Sequence, residues 1–102
     1  MKSLFIVLAS LIGSAAMASD LDVAKALFLA TASKTTRTHI ESINYTTAEQ
    51  LDTTSQGTEY YLAGWTTGDV RFECDAEVTV KNGRAVYIGP KTFPQICRPV
   101  DM

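Results

Sequence analysis

The sequence predicts an α+β fold: one N-terminal helix packed on an antiparallel sheet of about four strands, closed by a disulfide-tethered C-terminal tail. Three observations carry this. Val70 to Val80 alternate apolar and polar residues over eleven positions, the period of a strand with one face in a core and one face wet. Apolar residues between Ser19 and Ser33 gather on one broad side at helical spacing. The two cysteines, Cys74 and Cys97, form an even set in a chain that begins with an export signal. A small β-barrel is the alternative, should the sheet curl on itself.

That signal comprises residues 1–18. Lys2 supplies a positive start, Leu4 to Ile12 an apolar run, and Ala16-Met17-Ala18 the small-x-small pattern before a cleavage site. The run is too short to span a bilayer as a helix, and no cysteine follows it to take a lipid. The expected mature chain is one small domain, residues 19–102, exported to the periplasm or secreted, with no stable membrane insertion. Loss of Lys2 leaves eight basic residues against eleven acidic ones, a formal charge of −3. A mildly acidic surface without a basic run argues against a nucleic-acid partner.

Ser19 can cap the helix, with Asp20 and Asp22 favoured at the positive end of its dipole. Leu21, Val23, Ala24, Leu27, Phe28 and Ala30 share one side, and Leu29 falls outside it. Thr35 to Thr47 is rich in Thr, Ile and Tyr and reads as a strand. Ile40 and Ile43 differ in parity, which predicts a bulge or two-sided burial. Ala48 to Gly57 is polar and reads as a loop. After it come the strand carrying Tyr60 and Leu62, the clear strand from Val70, and a last strand carrying Val86 and Ile88.

Lys81-Asn82-Gly83 suits a three-residue hairpin with a glycine bulge, which sets Val78 opposite Val86 and Ala76 opposite Ile88. Thr66-Thr67-Gly68 has the same form and sets Leu62 opposite Phe72 and Tyr60 opposite Cys74. These registers bury Phe72, Val78 and Val86. The tail holds Pro90, Pro94 and Pro99 and is expected to be irregular, anchored by Phe93, Ile96 and Val100. A bridge between Cys74 and Cys97 stabilises so small a domain by about 3 kcal/mol in the chain-entropy model. Neither their spacing nor any further His or Cys suits a redox CxxC pair or a zinc site.

The same registers turn Tyr61, Trp65 and Tyr87 to the face away from the helix. Aromatic residues mixed with charge suit a protein, peptide or glycan partner. His39 and Glu41, two apart on a strand, share a face and are the candidate general acid and base of a small ribonuclease-like hydrolase, with Arg71, Glu73 and Arg84 nearby. Glu73, Asp75 and Glu77 project about 7 Å apart, too far to share one ion, so a solvated acidic face is expected rather than a metal site. No cofactor motif is present. The leading expectation is a non-enzymatic exported binding or accessory protein, such as an inhibitor. The alternatives are the hydrolase and a subunit that self-associates through a sheet edge.

Overall fold

The computed structural model describes residues 19–92 and 94–100. The signal peptide expected over residues 1–18 and the anchor expected at Phe93 lie outside them. The chain runs as helix α1 (Asp20–Thr36) and strands β1 (Ile40–Thr54), β2 (Gly57–Gly68), β3 (Phe72–Lys81), β4 (Arg84–Gly89) and β5 (Cys97–Pro99). The sheet is antiparallel in the order β1-β2-β3-β4, and β5 pairs with β3 beside β4. It does not close: β1 and β4 remain edges, so the barrel alternative falls. A four-strand meander with a helix over one face has already covered its apolar side and gains nothing by curling further.

Ser19 caps α1 as its sequence suggests, its Oγ accepting from the Asp22 N–H at 3.1 Å. The helix runs three residues past Ser33, and in this last turn the Thr35 and Thr36 hydroxyls donate back to the carbonyls of Thr31 and Ala32. It ends at Arg37 in the left-handed conformation. Ala24, Phe28 and Ala32, four residues apart, are buried against the sheet. Leu29, expected outside the apolar side, packs partly on the core, whereas Ala30 is exposed.

β1 is longer than the sequence suggests. Ala48 to Thr54 continue the strand instead of forming a loop, paired with β2 down to Thr54–Gly57. The parity conflict between Ile40 and Ile43 is resolved by a bulge between Ile40 and Ser42, and further register shifts follow at Tyr45/Thr47 and Gln50/Thr53. Each inserts one residue, so Ile40, Ile43, Tyr45 and Ala48 reach the core at spacings that no unbroken strand allows. Thirteen threonines after residue 18 suit this long exposed pairing. Ser42 and Thr67 hydroxyls meet across it at 2.8 Å.

Both hairpin registers differ from expectation. Asn82 and Gly83 take φ 54° and 75°, a two-residue turn whose twist matches the strands, and Lys81 pairs with Arg84. A bulge between Thr79 and Val80 then restores parity, so Ile88 faces Val78 rather than Ala76. The residue expelled is Val86, which is 57% exposed, not buried. Between β2 and β3 the pairing has slid by four residues: Leu62 faces Ala76 and Tyr60 faces Val78. The connection is wider than a glycine hairpin because Thr66, buried, closes it with its side chain. Its hydroxyl donates to the Val70 carbonyl at 3.2 Å and accepts from the Phe72 N–H at 2.9 Å. A slip by an even number keeps every side chain on its face, so Leu62 and Val78 stay fully buried. Phe72 is only half-buried but packs on the core.

Cys74 and Cys97 are directly paired residues of β3 and β5 with Cα atoms 4.0 Å apart, joined by a disulfide. Ile96 anchors the tail in the core. No described helix is long and apolar enough to cross a membrane.

Candidate functional site

With α1 on one face, the other face of the sheet is built from the alternate residues of each strand. On β2 these are Tyr61, Ala63 and Trp65. The register sets them beside Glu77, Asp75 and Glu73 of β3. Same-face neighbours along a strand are about 7 Å apart, so the two aromatic side chains stand about 13 Å apart with Ala63 as the gap between them. The gap forms a shallow concavity lined by Thr46, Tyr61, Ala63, Trp65, Asp75 and Thr92.

Asp75 is the unexpected member. Its strand position is on the wet side, yet it is only 3% exposed. The Tyr61 hydroxyl donates to its Oδ2 at 2.9 Å, and the Thr92 N–H to its Oδ1 at 3.4 Å. Thr92 belongs to the segment between β4 and β5, which folds over this part of the face. The Asp75 N–H donates to the Ile96 carbonyl at 2.8 Å, so the same residue ties down that segment from both its side chain and its backbone. Burial pushes the Tyr61 phenol above its ordinary range. Donation to Asp75 and the charge of that carboxylate push it the same way, with Thr92 and Lys91 opposing.

The cations around the face have defined seats. The Arg71 guanidinium lies 4.2 Å from the Trp65 ring centroid, and the Lys91 ammonium 5.8 Å from that of Tyr61. Lys91 also pairs with Glu77 at 3.1 Å, and this hydrogen bond and charge hold its ammonium above its ordinary range. Arg98 pairs with Glu73 at 2.7 Å. The three acidic residues of β3 are therefore not one solvated row. Glu73 and Glu77 are ion-paired at the surface, and Asp75 is covered. The described residues contain no cluster of metal-ligating side chains.

Tyr87, opposite Thr79, lies on the same face as Tyr61 and Trp65 and is 56% exposed. It is six β3 positions from the level of Trp65, about 20 Å, and does not line the concavity. His39 precedes β1, and Glu41 is the residue inserted by the first bulge, so the alternation that would align them is broken. Both are exposed. Arg71, Glu73 and Arg84 do not converge either: Arg84 pairs with Lys81 at the far end of β3, eight residues and about 26 Å from Glu73.

Asp75, Thr92, Lys91 and Arg71 thus join the aromatic residues found from sequence. Periodicity gives Asp75 a face but not a cover, and the cover comes from a segment seventeen residues away.

No protein-family model, curated protein or solved structure matches this chain.

Proposed function

We propose that this chain is an exported, non-enzymatic binding or accessory protein of the cell envelope, an inhibitor-like module that captures a protein, peptide or glycan partner on the Tyr61–Trp65 face. The observation that carries the reading is the concavity itself: two half-buried aromatic side chains flank a small residue, with a buried acid behind it. Aromatic anchors beside a buried polar group are what recognition sites concentrate. Export is supported by the composition of residues 1–18 and by the Cys74–Cys97 disulfide, which persists in oxidising compartments. The hydrolase reading gains no support from the geometry, because His39 and Glu41 are both exposed and the bulge at Glu41 breaks the alternation that would align them.

Two measurements test this. Mass spectrometry of the exported protein should find an N-terminus at Ser19, and an intact Met1 in the envelope fraction would overturn the export claim. Mature, oxidised protein immobilised in envelope extract should retain a partner that Trp65→Ala fails to retain, with the variant still folded. Equal retention by the two proteins would remove the aromatic face from the function.

A further inference from the structure

We infer that the concavity receives the guanidinium of an arginine side chain carried by a peptide partner, with Asp75 as its counter-ion and Tyr61 and Trp65 as its walls. The inference rests on the binding-face reading and names the chemistry that face selects.

Its starting point is the company Asp75 keeps. A buried carboxylate is costly unless it is paired. The ion pairs among the described residues belong to Glu73 and Glu77. Asp75 accepts hydrogen bonds from two neutral donors instead, the Tyr61 hydroxyl and, at 3.4 Å, the Thr92 N–H, while the Lys91 ammonium, near enough to feel its charge, is engaged by Glu77. A carboxylate has about four acceptor positions, so about two remain open. A buried acid with spare acceptors, at the back of an aromatic-walled concavity, is complementary to a cation from outside. The long bond from Thr92 is the one an incoming donor displaces most cheaply.

The walls favour the same ligand. Aromatic ring faces attract cations, and Arg71 over Trp65 is an example already present in the fold. Arginine suits the site better than lysine. Its planar fork matches a carboxylate with two parallel bonds, stacks on rings, and is more weakly hydrated than an ammonium. The concavity is shallow and lies on an open sheet face, which leaves room for the chain that bears the arginine. The acidic balance of the expected mature chain, −3, attracts such a chain rather than repelling it.

Trp65 is the single tryptophan and reports on its own site. Its fluorescence is titrated with acetyl-Gly-Arg-Gly-amide and with the same peptide carrying citrulline, the neutral isostere. A saturable change is expected with arginine, with the citrulline peptide binding roughly tenfold more weakly or worse. Asp75→Asn should lose the preference for arginine. Tyr61→Phe should move the other way and bind arginine several-fold more tightly, because it keeps the ring and removes the hydroxyl that competes for Oδ2. Should Asp75→Asn fail to fold, the arginine–citrulline ratio and Tyr61→Phe decide. Equal binding of the two peptides, or no saturable signal with arginine, overturns the inference. Where Trp65→Ala still abolishes capture from envelope extract, only the arginine assignment falls. Where capture is unaffected as well, the binding face falls with it.

Discussion

Gly64 shows how the backbone of one strand fixes a residue of the next. A methyl group there would collide with the Asn44 carbonyl of β1, just before the register shift between Tyr45 and Thr47. Gly64→Ala should therefore cost about 1–3 kcal/mol, the range for forcing volume into a packed site, as measured by urea denaturation. Leu62, two residues earlier and fully buried, should lose about 2–5 kcal/mol on truncation to alanine. Trp65→Ala should cost clearly less than the roughly 3–5 kcal/mol of a core tryptophan, because its side chain is only half-buried on the open face. Tyr45 makes a pH prediction. Burial pushes its phenol up to about 12 from an ordinary value of 10.0. The folded state thus holds the proton longer than the unfolded chain does. The stability linked to Tyr45 is fully present below pH 10 and is lost as pH rises toward 12. Melting temperatures across this range should fall less steeply for Tyr45→Phe than for the parent. Equal slopes would place the ring in water.

At the scale of elements, the β3–β4 hairpin separates what alternation can show from what it cannot. Period two correctly assigns Cys74, Ala76, Val78 and Val80 to the core face. It fails across the turn, because it treats Val86 and Ile88 as equivalent when Val86 is itself the residue the bulge inserts. The bulge reconciles a turn of preferred twist with burial of Ile88, and Val86 is the residue left outside. Val86→Ser should accordingly change stability by no more than about 0.5 kcal/mol, as surface substitutions do, in the same denaturation assay. A loss comparable to a core truncation would restore the three-residue turn. The same limit explains β1. Its bulges place core residues at mixed spacings, so the polar stretch after Ala48 has no strand period to display, and its pairing is dictated by β2. The aromatic residues of the candidate site were legible because a slip of four residues leaves their face unchanged. Asp75 was not, because its burial depends on a segment beyond β4 that no local pattern connects to it.

For the molecule as a whole, the tail is where stability and the candidate site meet. One stretch of chain after β4 supplies Lys91 to Glu77, Thr92 to Asp75, Ile96 to the core and Cys97 to Cys74. Its ladder with β3 is only three residues long, too little to hold an extended segment against its conformational entropy. The disulfide is therefore the main restraint. Reducing it should lower the unfolding free energy by about 3 kcal/mol, compared with oxidised protein in matched urea. The loss should not be uniform. β1 and β2 pair along most of their length without help from the tail, whereas the Asp75 and Val100 amides donate to, or from, the tail itself. Hydrogen exchange should accelerate at those two amides while the β1–β2 ladder changes less. Trp65 emission should shift with them, because the segment that covers Asp75 has been released. Uniform acceleration would mean that the tail is part of the global cooperative unit. Unchanged exchange at Asp75 and Val100 would mean that Ile96 and the side-chain bonds hold the segment without the bridge, and that the site keeps its shape in either redox state.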